Sequence, residues 1–253
     1  MTPWQALLVA LAGMAAGAVN AAVGSGTLIT FPVLLAVGYP PLLANVSNNI
    51  GLVPGSVAGV FGYRRELRGQ RARVLRLCAA SAVGGLVGAG VLLLLPAQTF
   101  AAVVPVLIGV AVLLVLVQPL LARRLAARRA ETPRGGDSPW LTAGVTASGV
   151  YGGYFGAAQG VILLGLMGVA LPEDLQRINA LKNAMALTVN LAAGIVFALL
   201  ADQIAWTAAL LIAAGATVGG RVGAALSRRL PPMAFRLLIA AVGVAAMANL
   251  LLR

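Results

Sequence analysis

Two halves of this chain repeat one another at a constant separation of 135 positions. Ser47-Asn48 falls on Lys182-Asn183, and Gly59 on Gly194. Gly84-Gly85-Leu86-Val87-Gly88-Ala89 falls on Gly219-Gly220-Arg221-Val222-Gly223-Ala224, Leu95-Pro96 on Leu230-Pro231, and Phe100 on Phe235. No gap is needed between Ser47 and Phe100. An internal repeat in an apolar chain points to a multi-pass membrane protein whose pathway lies between related halves.

The rest of the sequence agrees. Of 253 residues 60% are hydrophobic and 9% charged, outside the range of a soluble domain. Backbone polar groups facing lipid have no water to satisfy them, so the spans must be helical. The expected fold is therefore an all-α polytopic membrane protein in a bacterial inner membrane. The net charge of +12 does not imply nucleic acid as a partner. Eleven of the eighteen basic residues fall within 64–76 and 123–134, between apolar runs, where cytoplasmic loops collect Lys and Arg. Lipid headgroups are the expected neighbours of these residues. The absence of histidine removes His-ligated haem and most zinc sites, and no cofactor is implied. Cys78 stands alone and packs as a small hydrophobe. The start Met1-Thr2-Pro3-Trp4 has no basic stretch, so a cleaved signal peptide is not expected.

Apolar runs and breakers give five elements per half. They cover roughly 4–23, 26–38, 44–61, 74–95 and 99–121, then 140–155, 160–171, 180–200, 204–226 and 233–252. Residues 1–121 and 140–253 form the two repeats, and 122–139, rich in Arg, Gly and Pro, links them. Elements two and seven reach only about 20 Å at ~1.5 Å per residue, too short to span alone, and are expected to be broken or half-helices. Loop charge decides orientation. The basic loop 63–73 aligns with 198–208, which carries Asp202 and no basic residue. The uncharged turn 96–99 aligns with 231–234, beside basic Ser227-Arg228-Arg229. Equivalent loops of opposite character imply an inverted repeat of 5+5 elements, with both termini outside and the loops 64–73, 123–139 and 228–229 cytoplasmic. The patterns Gly84-x-x-x-Gly88 and Gly215-x-x-x-Gly219-x-x-x-Gly223 fall in mid-span with no strand before them, so they read as close helix packing.

No carboxylate falls inside a span: Glu66, Glu131, Asp137, Glu173, Asp174 and Asp202 all lie in loops or at element ends. Cation carriers keep such a group near midplane, so an inorganic cation is an unfavoured substrate. Lys182, the only lysine, opens element eight and must either snorkel to cytoplasmic water or pair with an anion. Amides and hydroxyls cluster around the two short elements. The first half supplies Asn20, Ser25, Thr27, Asn45, Ser47, Asn48 and Asn49, and the second Gln159, Asn179, Lys182, Asn183, Thr188 and Asn190. Gly24-Ser25-Gly26-Thr27 and Gly156-Ala157-Ala158-Gln159-Gly160 each precede a short helix, whose free N–H groups can face an anion. The expected substrate-binding set is Asn20, Gly24, Ser25, Gly26, Thr27, Ser47, Asn48, Gly156, Gln159, Gly160, Lys182, Asn183 and Asn190. Arg177 reads as an interface anchor.

The same residues carry a resemblance. The run from Asn20 to Pro32 (NAAVGSGTLITFP), then Gly38-Tyr39-Pro40-Pro41 and Ala44-Asn45-Val46-Ser47-Asn48, resembles the first signature of the sulfite exporter TauE/SafE family. The second half is similar at Gly149-Val150-Tyr151-Gly152-Gly153-Tyr154-Phe155-Gly156, at Asn179-Ala180-Leu181-Lys182-Asn183 and at Asn190. The resemblance covers essentially the whole chain. It implies a bacterial inner-membrane permease for small sulfur-containing anions such as sulfite or an organosulfonate. The two glycine runs are poorer in glycine than is common in that family, at Ser25 and at Ala157-Ala158-Gln159.

The leading expectation is a secondary permease for a small oxyanion, working by alternating access and not an enzyme. A homo-oligomer is a compatible assembly. The alternative is an intramembrane hydrolase in which Ser47 is nucleophile and Lys182 base, since the repeat makes them equivalent.

Overall fold

A computed structural model of the chain describes residues 1–128, 138–226 and 241. Among the described residues there are nine helices and no strand. They are α1 (Pro3–Ala22), α2 (Thr27–Val37), α3 (Pro41–Gly62), α4 (Arg71–Leu94), α5 (Ala97–Arg128), α6 (Pro139–Tyr154), α7 (Gln159–Ala170), α8 (Leu175–Leu200) and α9 (Trp206–Leu226). The expected tenth element, the basic turn at 227–229 and linker residues 129–137 lie outside the described residues.

Local chemistry explains most boundaries. Thr2 caps α1 through a capping box: Gln5 N–H donates to Thr2 Oγ1 at 3.3 Å and Thr2 N–H to Gln5 Oε1 at 2.8 Å, with Pro3 at the first helical position. α2 stops at Gly38, whose φ of 104° suits a residue without Cβ, and Pro41 opens α3. Two boundaries differ from expectation. α5 continues past residue 121 to Arg128, because Leu-Ala-Arg-rich sequence holds no breaker there. α8 begins at Leu175 rather than near 180, because Asp174 caps it, accepting from the Arg177 N–H at 2.9 Å. Hydropathy alone misses that cap.

By length and composition, α1, α4, α8 and α9 and residues Ala97–Gln118 of α5 can each cross a membrane. α2 and α7, with 11 and 12 residues, extend only about 16–18 Å and are the short pair the sequence leads one to expect. Outward faces are apolar, with Leu75, Leu94, Val106, Leu113, Leu199 and Leu210 exposed, while Asn45, Ser47, Asn48 and Lys182 are buried. α3, as long as a span, carries much of this buried polar set.

Helix pairs exchange between halves: α1 packs along α9 and α6 along α4, while α3 meets α9 and α8 meets α4. The Gly patterns make these approaches. A Cβ on Gly84 would strike the Thr146 carbonyl oxygen, one on Gly88 that of Val150, and one on Gly219 that of Met14. Backbone-to-backbone approach of this kind is how membrane helices gain packing energy without a hydrophobic drive between them.

Candidate functional site

Two breaks in the helices face each other. α1 ends at Ala22 and α2 begins at Thr27; α6 ends at Tyr154 and α7 begins at Gln159. Gly24 (φ 86°) and Gly156 (φ 78°) turn the chain in the left-handed region at matching places. The breaks then touch: Gly160 N–H donates to the Gly24 carbonyl oxygen at 3.1 Å. A Cβ on either glycine would collide with the other's Cα. Aromatic rings brace the junction, with Phe31 of α2 edge-on to Phe155 at 5.3 Å and Phe100 of α5 edge-on to Phe155 at 6.2 Å.

Around the first break, Gly26 precedes α2 and its carbonyl accepts from Ile29 N–H at 2.9 Å. Asn48 of α3 donates from Nδ2 to Thr27 Oγ1 at 3.4 Å, and its Oδ1 accepts from the Thr30 hydroxyl. Ser25, 1% exposed, has an Oγ with no hydrogen-bond partner. At the second break Gln159, 3% exposed, lies over Gly152, and its Nε2 is likewise unpartnered. Tyr151 OH donates to the Ala157 carbonyl at 2.6 Å and pins this turn. Ala158 takes φ 60°, the only positive φ outside glycine among the described residues.

A second polar group gathers at the C-terminal end of α1. Lys182 of α8 is fully buried, and its Nζ donates to the carbonyls of Asn20 at 3.0 Å and Ala21 at 3.1 Å. Asn183 Nδ2 donates to Ala21 O at 3.1 Å and to Asn179 O at 3.0 Å. Asn179 Nδ2 donates to Tyr63 OH at 2.7 Å and to Ala21 O at 3.5 Å. Lys182 therefore does not snorkel; it caps a helix whose carbonyls end inside the protein. The other half has a weaker equivalent, Asn45 Nδ2 donating to the Tyr154 carbonyl at the end of α6 at 3.0 Å.

Two expected residues are engaged elsewhere. Ser47 Oγ accepts from Ala205 N–H at 2.9 Å, ahead of α9. Asn190 accepts from Asn49 at 3.4 Å and donates to Ser56 Oγ at 3.3 Å, joining α8 to α3. Ser47 and Lys182 thus engage different groups, and the hydrolase alternative gains no support. Sequence reasoning missed Thr30, Tyr63 and the strained Ala158. Thr30 was legible inside the first signature; nothing local marks Tyr63 as the partner of Asn179.

In the first turn of α4, Arg73 reaches Glu173 at 2.7 Å, and Arg177 reaches its other oxygen at 2.6 Å. Burial pushes the Glu173 carboxyl up, but the hydrogen bonds from Arg73 and Arg177 outweigh it and hold it below its ordinary value.

Long apolar helices around a buried polar set make this a multi-pass membrane protein, and its relatives are named as transporters. The chain is 27% identical over 215 residues to a probable membrane transporter protein of Haemophilus influenzae, covering 84% of this chain and 81% of that one. It is 25% identical over 214 residues to the probable membrane transporter protein YfcA of Escherichia coli K12, covering 84% and 77%. The sulfite exporter TauE/SafE model matches residues 9–250, and the chain belongs to that family. No solved structure matches it.

Proposed function

We propose that this transporter is a secondary permease for a small oxyanion, sulfite, an organosulfonate or a related sulfur-containing anion, working by alternating access between inverted halves 1–121 and 140–253. One observation carries the reading: the two breaks meet at Gly24 and Gly160, with the unpartnered Ser25 Oγ and Gln159 Nε2 buried beside them. The serine hydroxyl and the amide NH₂ can each donate to an anion, and the positive ends of the α2 and α7 helix dipoles add to them. Thr27, Asn48 and Gly26 shape the first break, while Gly156 and Gly160 let backbone approach at the second. Lys182 and Asn183 hold the Asn20–Ala21 end of α1, so the lysine's charge acts on the anion at one remove. Ser47 and Asn190 keep α3, α8 and α9 in register around the site.

Inversion is supported by contacts between loops. The Arg73–Glu173 ion pair joins the first turn of α4, beside the α3–α4 loop, to the α7–α8 loop, and the Ser47–Ala205 hydrogen bond joins the start of α3 to the α8–α9 loop. In the inverted arrangement each pair shares one side of the membrane. With re-entrant α2 and α7 and parallel halves, the α3–α4 and α7–α8 loops would lie on opposite sides, out of reach of an ion pair.

The test is solute flux by purified protein in proteoliposomes across sulfite, sulfate, thiosulfate, sulfoacetate and taurine. Saturable flux of at least one sulfur oxyanion is expected. No flux of any, with no ligand-induced thermal shift, would overturn the reading in favour of a structural role.

A further inference from the structure

We infer that the C-terminal end of α1 is a monovalent-cation site, and that in this chain the Lys182 ammonium fills it as a tethered cation. α1 stops inside the protein, and its last carbonyl oxygens, without helical partners, carry the negative end of the helix dipole. Two of them, from Asn20 and Ala21, lie 3.0 and 3.1 Å from Lys182 Nζ. Neutral main-chain oxygens are the ligands that hard monovalent cations take at interrupted membrane helices. The described carboxylates, Glu66, Glu173, Asp174 and Asp202, belong to loops or helix ends, so carbonyl oxygens must compensate the ammonium.

A further oxygen is available. Asn179 is 7% exposed, and its amide nitrogen already donates to Ala21 O, while its Oδ1 is buried without a partner. Two main-chain oxygens on one buried positive charge, with a spare oxygen on the amide that itself bonds one of them, make a built cation site rather than a bare helix end. The other half differs: among the described residues the side chain that reaches the end of α6 is the neutral Asn45 amide, and the repeat equivalent of Lys182 is Ser47. One positive charge is therefore built into one half. Removing it takes the donor from Asn20 O and leaves Ala21 O with its two amide donors alone, and an inorganic cation of the same charge can take the vacated place. With the lysine present, the protein needs no sodium or potassium at this position.

The inference deepens the permease reading by identifying what stands in for a coupling cation, but its test does not require transport. Full-length wild type, Lys182→Ala and Lys182→Met are melted in detergent in choline, lithium, sodium and potassium chlorides at one ionic strength, without added oxyanion. Wild type should melt alike in all four. Lys182→Ala should melt several degrees lower in choline and recover saturably in sodium or potassium. Lys182→Met, whose apolar side chain occupies the space, should melt lower in every salt alike. Lys182→Ser serves as second variant if Lys182→Ala does not fold, and should show the same salt profile. A flat salt profile for the folded small-residue variant overturns the inference, as does sodium-dependent melting of wild type or failure of both small variants to fold in sodium. Because no oxyanion is present, an inert flux assay beside a positive melt would sink only the permease reading.

Discussion

Gly160 N–H donates to the carbonyl oxygen of Gly24 at 3.1 Å, joining the start of one short helix to the turn before the other. A Cβ on Gly160 would meet Gly24 Cα, backbone that cannot swing aside. Gly160→Ala should therefore lose about 1–3 kcal/mol through overpacking. Gly24→Ala should lose more, since its φ of 86° adds a left-handed penalty of about 1–2 kcal/mol. Thermal melts of the purified variants decide this, and a Gly160→Ala protein as stable as wild type would refute the junction.

Ala158 offers the opposite change. Its φ of 60° strains an L-residue, and glycine relieves that strain. Ala158→Gly should gain about 1 kcal/mol, or roughly 2–4 °C in Tm for a chain of this size. A fall in Tm would mean that the buried Ala158 methyl contributes more packing than its backbone loses.

Ser25→Ala and Gln159→Ala separate binding from folding. Each removes an unpartnered polar atom, so the Ser25→Ala melting temperature should hold or rise slightly, while Gln159→Ala also gives up packing over Gly152 and should fall modestly. Anion affinity should fall roughly 10- to 150-fold for each, the worth of a hydrogen bond to a charged group. Titration with whichever oxyanion gives flux provides the readout. Wild-type affinity in both variants would remove the breaks from the binding site.

The Glu173 clamp predicts a pH effect of defined sign. Its carboxyl is held below the ordinary value, so the stabilisation is complete above about pH 4.3 and fades as pH falls through the lower folded-state value. Acid melts of wild type should show that loss, and Glu173→Gln should lack it. An Arg73–Glu173 double-mutant cycle should give a coupling of about 0.2–1 kcal/mol, because both side chains remain partly exposed. Zero coupling would leave the two loops unlinked in solution.

Topology can be read with single cysteines in a Cys78→Ala background. Inverted halves require position 66 to label from the cytoplasmic side, and positions 98 and 202 from the outside. Labelling of position 98 or 202 only from inside would break the arrangement.

Much of this architecture is written locally. Apolar runs and Pro and Gly breakers set the helices to within a few residues, except at the end of α5 and the start of α8, because hydropathy and φ preference act over one or two turns. Lys182 stood out by the same logic, as a charge that hydrocarbon does not tolerate unpaired. Its partner was not legible. Snorkelling and anion pairing were the alternatives open to one helix taken alone, and the carbonyls of Asn20 and Ala21 come from α1, which only the packed bundle brings beside α8. Ser47 shows the same limit: the repeat makes it equivalent to Lys182, yet tertiary structure gives its hydroxyl to Ala205. Sequence by itself determined which residues could not face lipid, since that cost belongs to the residue. Tertiary structure decided what each meets instead, since a hydrogen bond depends on where two distant helices cross.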